Sequence, residues 1–567
     1  MPSPDPSAID NVPLASDALP WLGAYPAGVP ASIDPDAYGS LWALVAAACA
    51  QYRERVAFTC MGRSLRYGDV ERLSAAFAGF LAARGARKGD RVGLMMPNCL
   101  QYPIAMLGAL RAGCVVVNVN PQYTPREVQH QLADAGVRIL VVMDLSAHIV
   151  AEVAADVPVE TYVVTSLGEL LGWKGKVVDF VVRRVKGMVK PWRLAEAVDF
   201  RAALAHDPVP AAEVVGSDLA FLQYTGGTTG VAKGAMLTHR NILANLEQTG
   251  IWISVSFKEG AEIVIAPLPM YHIFCLTSTL SFMKWGSLSV LITNPRDLPA
   301  LVKEMGNWKF TTMTGVNTLF NGLLNTPGFA QLDFSALKVV VGGGAAVQKP
   351  VAERWQQVTG LCLTEAYGLT ETSPGVCCVP LGAPWDGTIG LPVPSTEVSI
   401  RDDDFNELPV WSGAGDIEKY TGELCVCGPQ VMKGYWNNPA ETANVLRDGW
   451  LKTGDIGHLD DKGRVTITDR KKDMILVSGF NVYPNEIESV VAAHPGVLEC
   501  AAVAVPDEKT GEAVKVVIVK KDPNLTRESV IEHCRTSLTS YKVPRHVEFR
   551  DALPKTPIGK ILRRELR

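Results

Sequence analysis

The segment Tyr224-Thr225-Gly226-Gly227-Thr228-Thr229-Gly230-Val231-Ala232-Lys233-Gly234 decides the fold, because it directly follows an apolar run at residues 219–224. The apolar run predicts a buried strand. The glycines after it allow backbone N–H groups to approach a phosphate, and the threonine hydroxyls add further donors. We therefore interpret the segment as a phosphate-binding loop behind a strand; a glycine-rich surface turn is the alternative.

The loop lacks the spacing G-x-x-x-x-G-K-[ST] of P-loop nucleotide triphosphatases. Val231 stands where the second glycine would be, and Lys233 is followed by Gly234 in place of serine or threonine. A different kind of phosphate site is therefore expected.

Short β-branched runs alternate with helix-like stretches on both sides of this loop. The runs lie at residues 91–95, 115–119, 139–143, 219–224, 262–266 and 337–341. Such alternation predicts an α/β fold with a largely parallel sheet, in which ligands gather at the strand ends.

The pattern changes near residue 464, where a strand-like run at 465–468 leads into Asp469-Arg470-Lys471-Lys472-Asp473. The residues beyond it read as a small α+β domain. We predict a large N-terminal domain of mixed sheets and helices over residues 1–468, a hinge at 469–474 and a small mobile C-terminal domain at 475–567. A solvated linker is the alternative for the charged cluster.

The bulk composition excludes several classes of protein. A chain of 567 residues with 47% hydrophobic residues and a net charge of -5 predicts a globular protein of at least two domains that does not bind nucleic acid. The 12 cysteines include no C-x-x-C pair, which argues against a zinc site and favours a reducing, cytoplasmic compartment. Neither a signal peptide nor a membrane-spanning run is expected.

Motifs in five places follow one another in an order typical of a single superfamily. They are residues 224–234, Tyr367-Gly368-Leu369-Thr370-Glu371, and residues 448–455, 469–479 and 554–560. On these motifs the chain resembles the adenylate-forming superfamily of acyl-CoA synthetases, luciferases and peptide-synthetase adenylation domains. Within it, the chain is most similar to bacterial long-chain fatty-acid–CoA ligases. The resemblance implies that ATP activates a fatty acid as an acyl-adenylate and that coenzyme A then takes the acyl group.

The resemblance also implies where the nucleotide binds. The phosphates are expected on the loop residues Tyr224, Thr225, Gly226, Gly227, Thr228, Thr229, Gly230 and Lys233. Thr370 is expected to contact the α-phosphate, and Asp455 the ribose hydroxyls. Adenine is expected between Tyr367-Gly368 and the turn Gly342-Gly343-Gly344; from the residues alone, that triplet is equally a plain strand-to-helix turn.

Glu371 is the carboxylate that the resemblance places beside the triphosphate. With Thr225 it is expected to bind Mg²⁺, a cation that prefers oxygen ligands. From spacing alone, a surface or helix-capping glutamate is the simpler interpretation.

The C-terminal domain is expected to supply residues for both reaction steps. By the resemblance, Lys560 contacts the α-phosphate and the carboxylate during adenylation, although taken alone it belongs to a solvated basic tail. Arg470 is expected to bind ribose or phosphate, and Lys472 matches the pivot of the hinge. Gly479 is expected to leave room for the pantetheine arm of coenzyme A.

The segment Pro269-Met270-Tyr271-His272-Ile273-Phe274 matches the part of the family that lines the acyl site. His272 either gates this site or is a hydrogen-bonded structural histidine. The apolar side chains that wall a tunnel, or simply form core, are Phe274, Leu276, Leu280, Val316 and Leu319. Because Leu276 stands where some long-chain members have tryptophan, the preferred acyl length is left open.

Residues 173–194 combine apolar positions at helical spacing with seven lysines and arginines and the single acid Asp179. This composition predicts a helix lying on an anionic bilayer, which would recruit the protein to the cytoplasmic face of the membrane. A helix packed on its own domain is the alternative, since Gly175, Gly187 and Pro191 weaken the helix.

Three other functions fit parts of the sequence. They are a ligase for medium-chain or aryl acids, an adenylation unit for a carrier protein, and a regulatory nucleotide-binding protein without turnover. The joint presence of Glu371, Asp455, Arg470 and Lys560 argues against the regulatory protein. The expected partners are therefore small molecules, namely a fatty acid, ATP and coenzyme A, while a homodimer is left open.

Overall fold

The computed structural model describes residues 19–225, 232–478 and 480–567. The α-helices are α1 (Leu41–Gln51), α2 (Tyr67–Ala83), α3 (Gln101–Arg111), α4 (Pro125–Ala135), α5 (Ala147–Val153), α6 (Trp173–Phe180), α7 (Phe200–Ala203), α8 (His239–Ser254), α9 (Ile273–Lys284), α10 (Leu298–Met305), α11 (Asn317–Leu324), α12 (Lys349–Thr359), α13 (Pro439–Val445), α14 (Pro484–Ala492) and α15 (Arg527–Arg535). In the described part of the chain, no helix has the length and apolar character needed to cross a bilayer.

The strands in the first part of the chain are β1 (Val56–Cys60), β2 (Arg63–Arg66), β3 (Arg91–Met95), β4 (Val115–Asn118), β5 (Val137–Met143), β6 (Thr161–Thr165), β7 (Val198–Asp199), β8 (Leu219–Thr225), β9 (Lys233–Thr238), β10 (Ile263–Ala266), β11 (Leu288–Leu291), β12 (Thr312–Gly315) and β13 (Val339–Gly342). They are followed by β14 (Thr364–Gly368), β15 (Gly375–Cys378), β16 (Leu391–Pro392), β17 (Glu397–Arg401), β18 (Gly422–Cys427), β19 (Leu446–Arg447), β20 (Trp450–Leu459), β21 (Val465–Arg470), β22 (Ile475–Val477), β23 (Phe480–Val482), β24 (Val497–Asp507), β25 (Gly511–Lys520) and β26 (His546–Phe549).

A seven-stranded sheet has the order β7-β6-β5-β3-β4-β8-β9. Its strands are parallel except β8 and β9, which pair antiparallel and end with Thr225 opposite Lys233. The apolar runs of β3 to β5 are buried on both faces, as expected where helices cover a parallel sheet. The predicted phosphate loop therefore connects two antiparallel strands.

A nine-stranded sheet has the order β16-β15-β14-β13-β12-β10-β11-β1-β2, with parallel strands in the centre and antiparallel pairs at both edges. An antiparallel sheet of β17 to β21 follows. We call these three sheets with their helices the body. The cap is the sheet β23-β22-β25-β24 with β26 on β25, together with α14, α15 and the C-terminal tail.

A buried polar network joins the two large sheets of the body. The amide of Asn98, which follows β3, donates to the carbonyl oxygens of Ala266 at 3.1 Å and Leu268 at 2.8 Å. Its oxygen accepts from the backbone N of Met270 at 2.7 Å. The hydroxyl of Tyr102 lies 2.9 Å from the carbonyl oxygen of Met270. Two side chains that follow β3 in the chain, Asn98 and Tyr102 of α3, thus hold the segment between β10 and α9.

The α/β fold class, with a large N-terminal part and a smaller C-terminal part, is confirmed. The six predicted strands correspond to β3, β4, β5, β8, β10 and β13. The helix predicted over residues 173–194 is wrong in its second half, because α6 is followed by a π-helical turn at Val181–Val185 and helical structure ends there. Gly187 has φ of +59°, a conformation that ends helices.

We expect Asn98→Ala to lower the free energy of unfolding by about 2–4 kcal/mol, because it leaves the buried carbonyl group of Leu268 and the N–H of Met270 without partners. The midpoint of the thermal transition, measured by calorimetry, should fall accordingly. Asn307→Ala is the matched control, since Asn307 is exposed and should leave the midpoint unchanged. Equal midpoints for the two variants would contradict the anchoring role of Asn98.

Candidate active site

Asp455 of β20 lies at the centre of the site. Its Oδ2 accepts a hydrogen bond from the hydroxyl of Tyr367 at 2.5 Å, and its Oδ1 lies 3.4 Å from Nε of Arg470. Burial, followed by the neighbouring Asp455 carboxylate, raises the pKa of Tyr367 well above its usual value. The tyrosine hydroxyl therefore stays protonated and serves as a fixed donor. The structure brings these three predicted residues together.

Lys560 reaches the same cluster from the cap. Its loop is closed by two hydrogen bonds, from the backbone N of Lys560 to Thr556 Oγ1 at 3.0 Å and from the backbone N of Thr556 to the carbonyl oxygen of Lys560 at 2.7 Å. Desolvation lowers the pKa of Lys560 to about 7; the cation of Arg470 acts in the same direction and Asp455 opposes it. Burial also lowers the pKa of Lys472. An ammonium group in this place gains stability when a phosphate arrives.

Glu371 lies in a 3₁₀ turn, Thr370–Thr372, and is held by a tyrosine that the sequence analysis missed. Its Oε1 accepts a hydrogen bond from the hydroxyl of Tyr435 at 2.7 Å, and its carbonyl oxygen accepts from the backbone N of Met432 at 2.8 Å. Burial raises the pKa of Tyr435, and the Glu371 carboxylate adds to this effect. The carboxylate is therefore oriented by a neutral donor, and its oxygens suit a hard cation.

Lys233, at the end of the phosphate loop, forms an ion pair with Glu441 of α13. Its Nζ also lies 5.4 Å from the ring centroid of Tyr435. The hydroxyl of Tyr224 lies 2.5 Å from Asp134 Oδ2 of α4. The predicted site residues Gly226, Gly227, Thr228, Thr229, Gly230 and Gly479 lie outside the described residues, so their roles stay predictions.

Three glycines leave a surface without side chains beside Tyr367. A Cβ atom at Gly343 would lie 2.9 Å from the carbonyl oxygen of Ala366, and one at Gly368 would lie 1.9 Å from that of Pro374. Gly344 has φ of +74°, which favours glycine. The turn and the end of β14 are therefore places where the packed backbone leaves room only for glycine.

His272 caps the N-terminus of α9, because its Nδ1 accepts from the backbone N of Phe274 at 3.4 Å. Desolvation lowers the pKa of His272 to about 4, and the nearby cation of Lys560 adds to the shift, so the imidazole is neutral. The capping bond supports the structural interpretation, while gating stays a prediction. Leu276, Leu280 and Val316 are buried in the largest apolar cluster of the body.

Helix α11 of the body contacts the cap directly. Thr318 Oγ1 donates to the carbonyl oxygen of Gly559 at 2.8 Å, and Asn321 Nδ2 donates to that of Leu498 at 2.8 Å. Gly559 has φ of +91°, and a Cβ atom there would lie 2.7 Å from Thr318 Oγ1. The loop that carries Lys560 is thus seated on α11.

Several residues of the site carry no signal in the sequence. Tyr435 lies 64 residues from Glu371, and Glu441 lies 208 residues from Lys233. Thr318 lies 241 residues from Gly559. No spacing rule connects positions so far apart, so only the fold reveals these contacts.

Comparison with known proteins agrees with this geometry. The family described as AMP-binding enzyme matches residues 45–436, and the AMP-binding enzyme C-terminal domain matches residues 486–560. A long-chain-fatty-acid–CoA ligase of Escherichia coli O6:H1 is 54% identical over 554 residues, covering 96% of this chain and 97% of that protein. A feruloyl-CoA synthase of an Amycolatopsis species is 34% identical, covering 89% of this chain and 94% of that protein.

Among solved structures, ATP-bound MatB from Rhodopseudomonas palustris superposes with a TM-score of 0.78 at 28% identity, covering 93% of this chain and 98% of that chain. The family match extends over more than half of the chain, and its C-terminal companion covers the loop with Lys560. The chain therefore belongs to the family of AMP-binding enzymes.

Proposed function

We propose that the protein is an ATP-dependent acid–thiol ligase that converts a long-chain fatty acid to its coenzyme A thioester, releasing AMP and pyrophosphate. The observation that carries this proposal is that the cap loop with Lys560 is seated on α11 of the body, where the lysine is within electrostatic range of the Asp455–Arg470 pair. The identity of 54% to a long-chain-fatty-acid–CoA ligase supports the same substrate class.

The chemistry requires two steps, because a carboxylate at neutral pH is a poor electrophile. In the first step a carboxylate oxygen of the fatty acid attacks the α-phosphorus of ATP, and pyrophosphate leaves. In the second step the coenzyme A thiol attacks the acyl carbon, and AMP leaves with the bridging oxygen. Lys560 offsets the negative charge that gathers on the α-phosphate oxygens in the first step.

The nucleotide is proposed to lie along the body side of the site. Asp455 accepts from the ribose hydroxyls, and Arg470 holds ribose or phosphate beside it. The backbone of Gly343 and Gly344, with Tyr367, encloses the adenine. Thr370 contacts the α-phosphate, next to the carboxylate of Glu371.

Mg²⁺ is proposed to bind Glu371 together with the hydroxyl of Thr225. The fit rests on the donor set, since Tyr435 fixes one oxygen of Glu371 and no described residue donates to the other. When bound, the cation neutralises charge on the phosphate oxygens. Lys233 is then expected to exchange its ion pair with Glu441 for a phosphate.

The acyl group is proposed to enter along the segment between β10 and α9, which Asn98 and Tyr102 anchor. Phe274 and Val316 are proposed to line the acyl site. An aryl acid is the second candidate, because the feruloyl-CoA synthase is also a relative, but its identity of 34% is well below 54%. A panel of acids in pyrophosphate exchange separates the two, since an aryl ligase would prefer ferulate to oleate.

The cap is proposed to turn on the connector between the body and the cap. Strand β21 ends at Arg470 and β22 begins at Ile475, so few residues join the two parts. The boundaries proposed are 1–468 for the N-terminal domain, 469–474 for the hinge and 475–567 for the C-terminal domain. Because β21 of the body includes the first two hinge residues, Asp469 and Arg470, rotation is expected at residues 471–474. Rotation would withdraw Lys560 and present the loop at Gly479 to the acyl-adenylate.

A peripheral contact with the cytoplasmic face of the membrane is also proposed, through α6. One side of α6 packs on its own domain, since the carboxylate of Asp179 accepts from Ser166 Oγ at 2.7 Å and from the backbone N of Gly168 at 2.8 Å. The opposite side exposes Trp173 at 76% and Phe180 at 61%. Apolar side chains flanked by lysines are typical of helices that lie on anionic bilayers.

We expect Lys560→Ala to slow adenylate formation by about 10²–10³-fold, because the charge on the α-phosphate is no longer offset. Thioester formation from supplied oleoyl-adenylate and coenzyme A should stay close to that of the unsubstituted enzyme. Pyrophosphate exchange and thiol consumption measure the two steps separately. Equal loss in both assays would contradict the assignment of Lys560.

The pH dependence follows from the pKa of Lys560, which desolvation lowers to about 7. Below this pH the ammonium is charged and adenylation is supported; above it the proton is lost, and kcat/KM for ATP should fall by up to about tenfold per pH unit. Lys560→Arg keeps its charge at every accessible pH. Its lower activity should therefore be flat between pH 7 and 9, and a parallel decline in both enzymes would refute the explanation.

Sedimentation with liposomes that contain phosphatidylglycerol tests the membrane contact. Trp173→Ser with Phe180→Ser should lower the bound fraction by about three- to tenfold, because both side chains are exposed on α6. Val255→Ser is the matched control, since Val255 is 59% exposed at the end of α8 and lies outside residues 173–194. An unchanged bound fraction in the double variant would exclude α6 as the contact.

A further inference from the structure

A buried ion pair spans the junction between the body and the cap. Asp469 lies in β21, where it pairs with Ile456 of β20, and its side chain is 0% exposed. Its Oδ2 accepts from the backbone N of Asn485 at 2.8 Å, and its Oδ1 accepts from Nη1 of Arg563 at 3.2 Å. The carboxylate is anchored in the body, while both of these partners belong to the cap.

Arg563 is fixed within the cap on its other side. Its Nε and Nη2 donate to the two carboxylate oxygens of Glu488 at 3.0 and 2.8 Å, and Nη2 also donates to Asn485 Oδ1 at 2.6 Å. The arginine side chain is only 17% exposed. Because Arg563 follows Lys560 by three residues, it ties the tail that carries this lysine to α14.

Asp469 also completes the N-terminus of α14. Asn485 is the second residue of this helix, so its N–H is one of the donors that have no partner within the helix. Tyr483, at the capping position, forms no side-chain cap. A carboxylate of the body thus occupies the place of a helix cap, where it also meets the positive end of the helix dipole.

These contacts exist in only one orientation of the cap. If the cap turns about residues 471–474, Asp469 stays with β20, whereas Asn485 and Arg563 move away. Burial raises the pKa of Asp469 and Arg563 pulls it down, so separation leaves a buried carboxylate without its cation. The orientation of the cap that brings Lys560 close to Asp455 is therefore the one in which Asp469 has its hydrogen bond to Asn485 and its ion pair with Arg563.

We propose that Asp469 and Arg563 form a latch that selects the adenylate-forming orientation of the cap. They are positioning residues for Lys560 and have no contact with the reacting atoms. The latch rests on the proposed function, because only an enzyme with two half-reactions needs two cap orientations. Its release accompanies the withdrawal of Lys560 before coenzyme A attacks.

The test measures the two half-reactions separately in the full-length chain. Asp469→Asn keeps the shape of the side chain and an acceptor for Asn485 but removes the charge, and Arg563→Gln removes the cation. Pyrophosphate exchange into ATP with oleate should fall at least about tenfold in each variant. Thioester formation from supplied oleoyl-adenylate and coenzyme A should stay within about twofold of the unsubstituted enzyme.

The double variant should be no slower in exchange than the slower single variant, because both substitutions remove the same ion pair. Arg564→Gln is the matched control: Arg564 is the next residue along the tail, is exposed and forms no ion pair in the described part of the chain. Both of its half-reactions should be unchanged. Calorimetry confirms that each variant is folded, and Asp469→Asn alone decides the outcome if Arg563→Gln does not fold.

Three results overturn the latch. They are unchanged exchange in Asp469→Asn, an equal loss of both half-reactions, and a double variant whose losses multiply. If the unsubstituted enzyme exchanges no pyrophosphate with any acid, the proposed function fails and the latch fails with it. The wild-type arm of the assay thus distinguishes the two failures.

Discussion

The carboxylate of Asp455 is the interaction on which the rest of the site depends. It accepts from Tyr367 of the nine-stranded sheet and faces Arg470, which ends the third sheet of the body. It also opposes the cations that lower the pKa of Lys560. Its buried negative charge partly offsets the mutual repulsion of Arg470, Lys472 and Lys560, and it therefore favours their approach to one another.

In the proposed mechanism the body is the rigid part of the protein and the cap is the part that moves. The body holds its ligand-facing backbone by packed glycines and by Asn98, whose amide spans the gap between two sheets. The cap brings Lys560 on a short closed loop that rests on Thr318 of α11. A site assembled from two parts excludes water when they meet, and it is dismantled when they part.

Much of the fold follows from the sequence, because the spacing of apolar residues and the glycines and prolines between elements are local signals. The β-branched runs at 91–95 and 219–224 lie within or coincide with strands of the structure, and the change near residue 464 precedes the start of the cap sheet. The order of strands within each sheet is set by long-range pairing, which no local pattern encodes. The prediction of a helix over residues 173–194 is wrong in its second half, because the apolar spacing continues past Gly187, where the backbone is no longer helical.

For the site, the motifs and the family resemblance indicated Lys560, Asp455, Arg470 and Tyr367, which the structure brings together. Its supporting contacts were invisible to sequence reasoning. Tyr435, which orients Glu371, lies 64 positions away from it in the sequence. Asn98 cannot be distinguished in the sequence from other polar residues, because its importance depends on buried hydrogen-bond partners that only the fold reveals.

The start of α11 packs in the body and also supports the cap loop that carries Lys560. Val316, just before its first turn, is buried in the body, and a Cβ atom at Gly559 would lie 3.2 Å from Val316 Cγ2. If Val316 lines the acyl site as proposed, a substitution that enlarges or shrinks this valine to change the accepted acyl length also alters the support of the loop that carries Lys560. Acyl selectivity and the placement of Lys560 would then depend on the same side chain, so a variant with a new chain-length preference would need a compensating change in the cap.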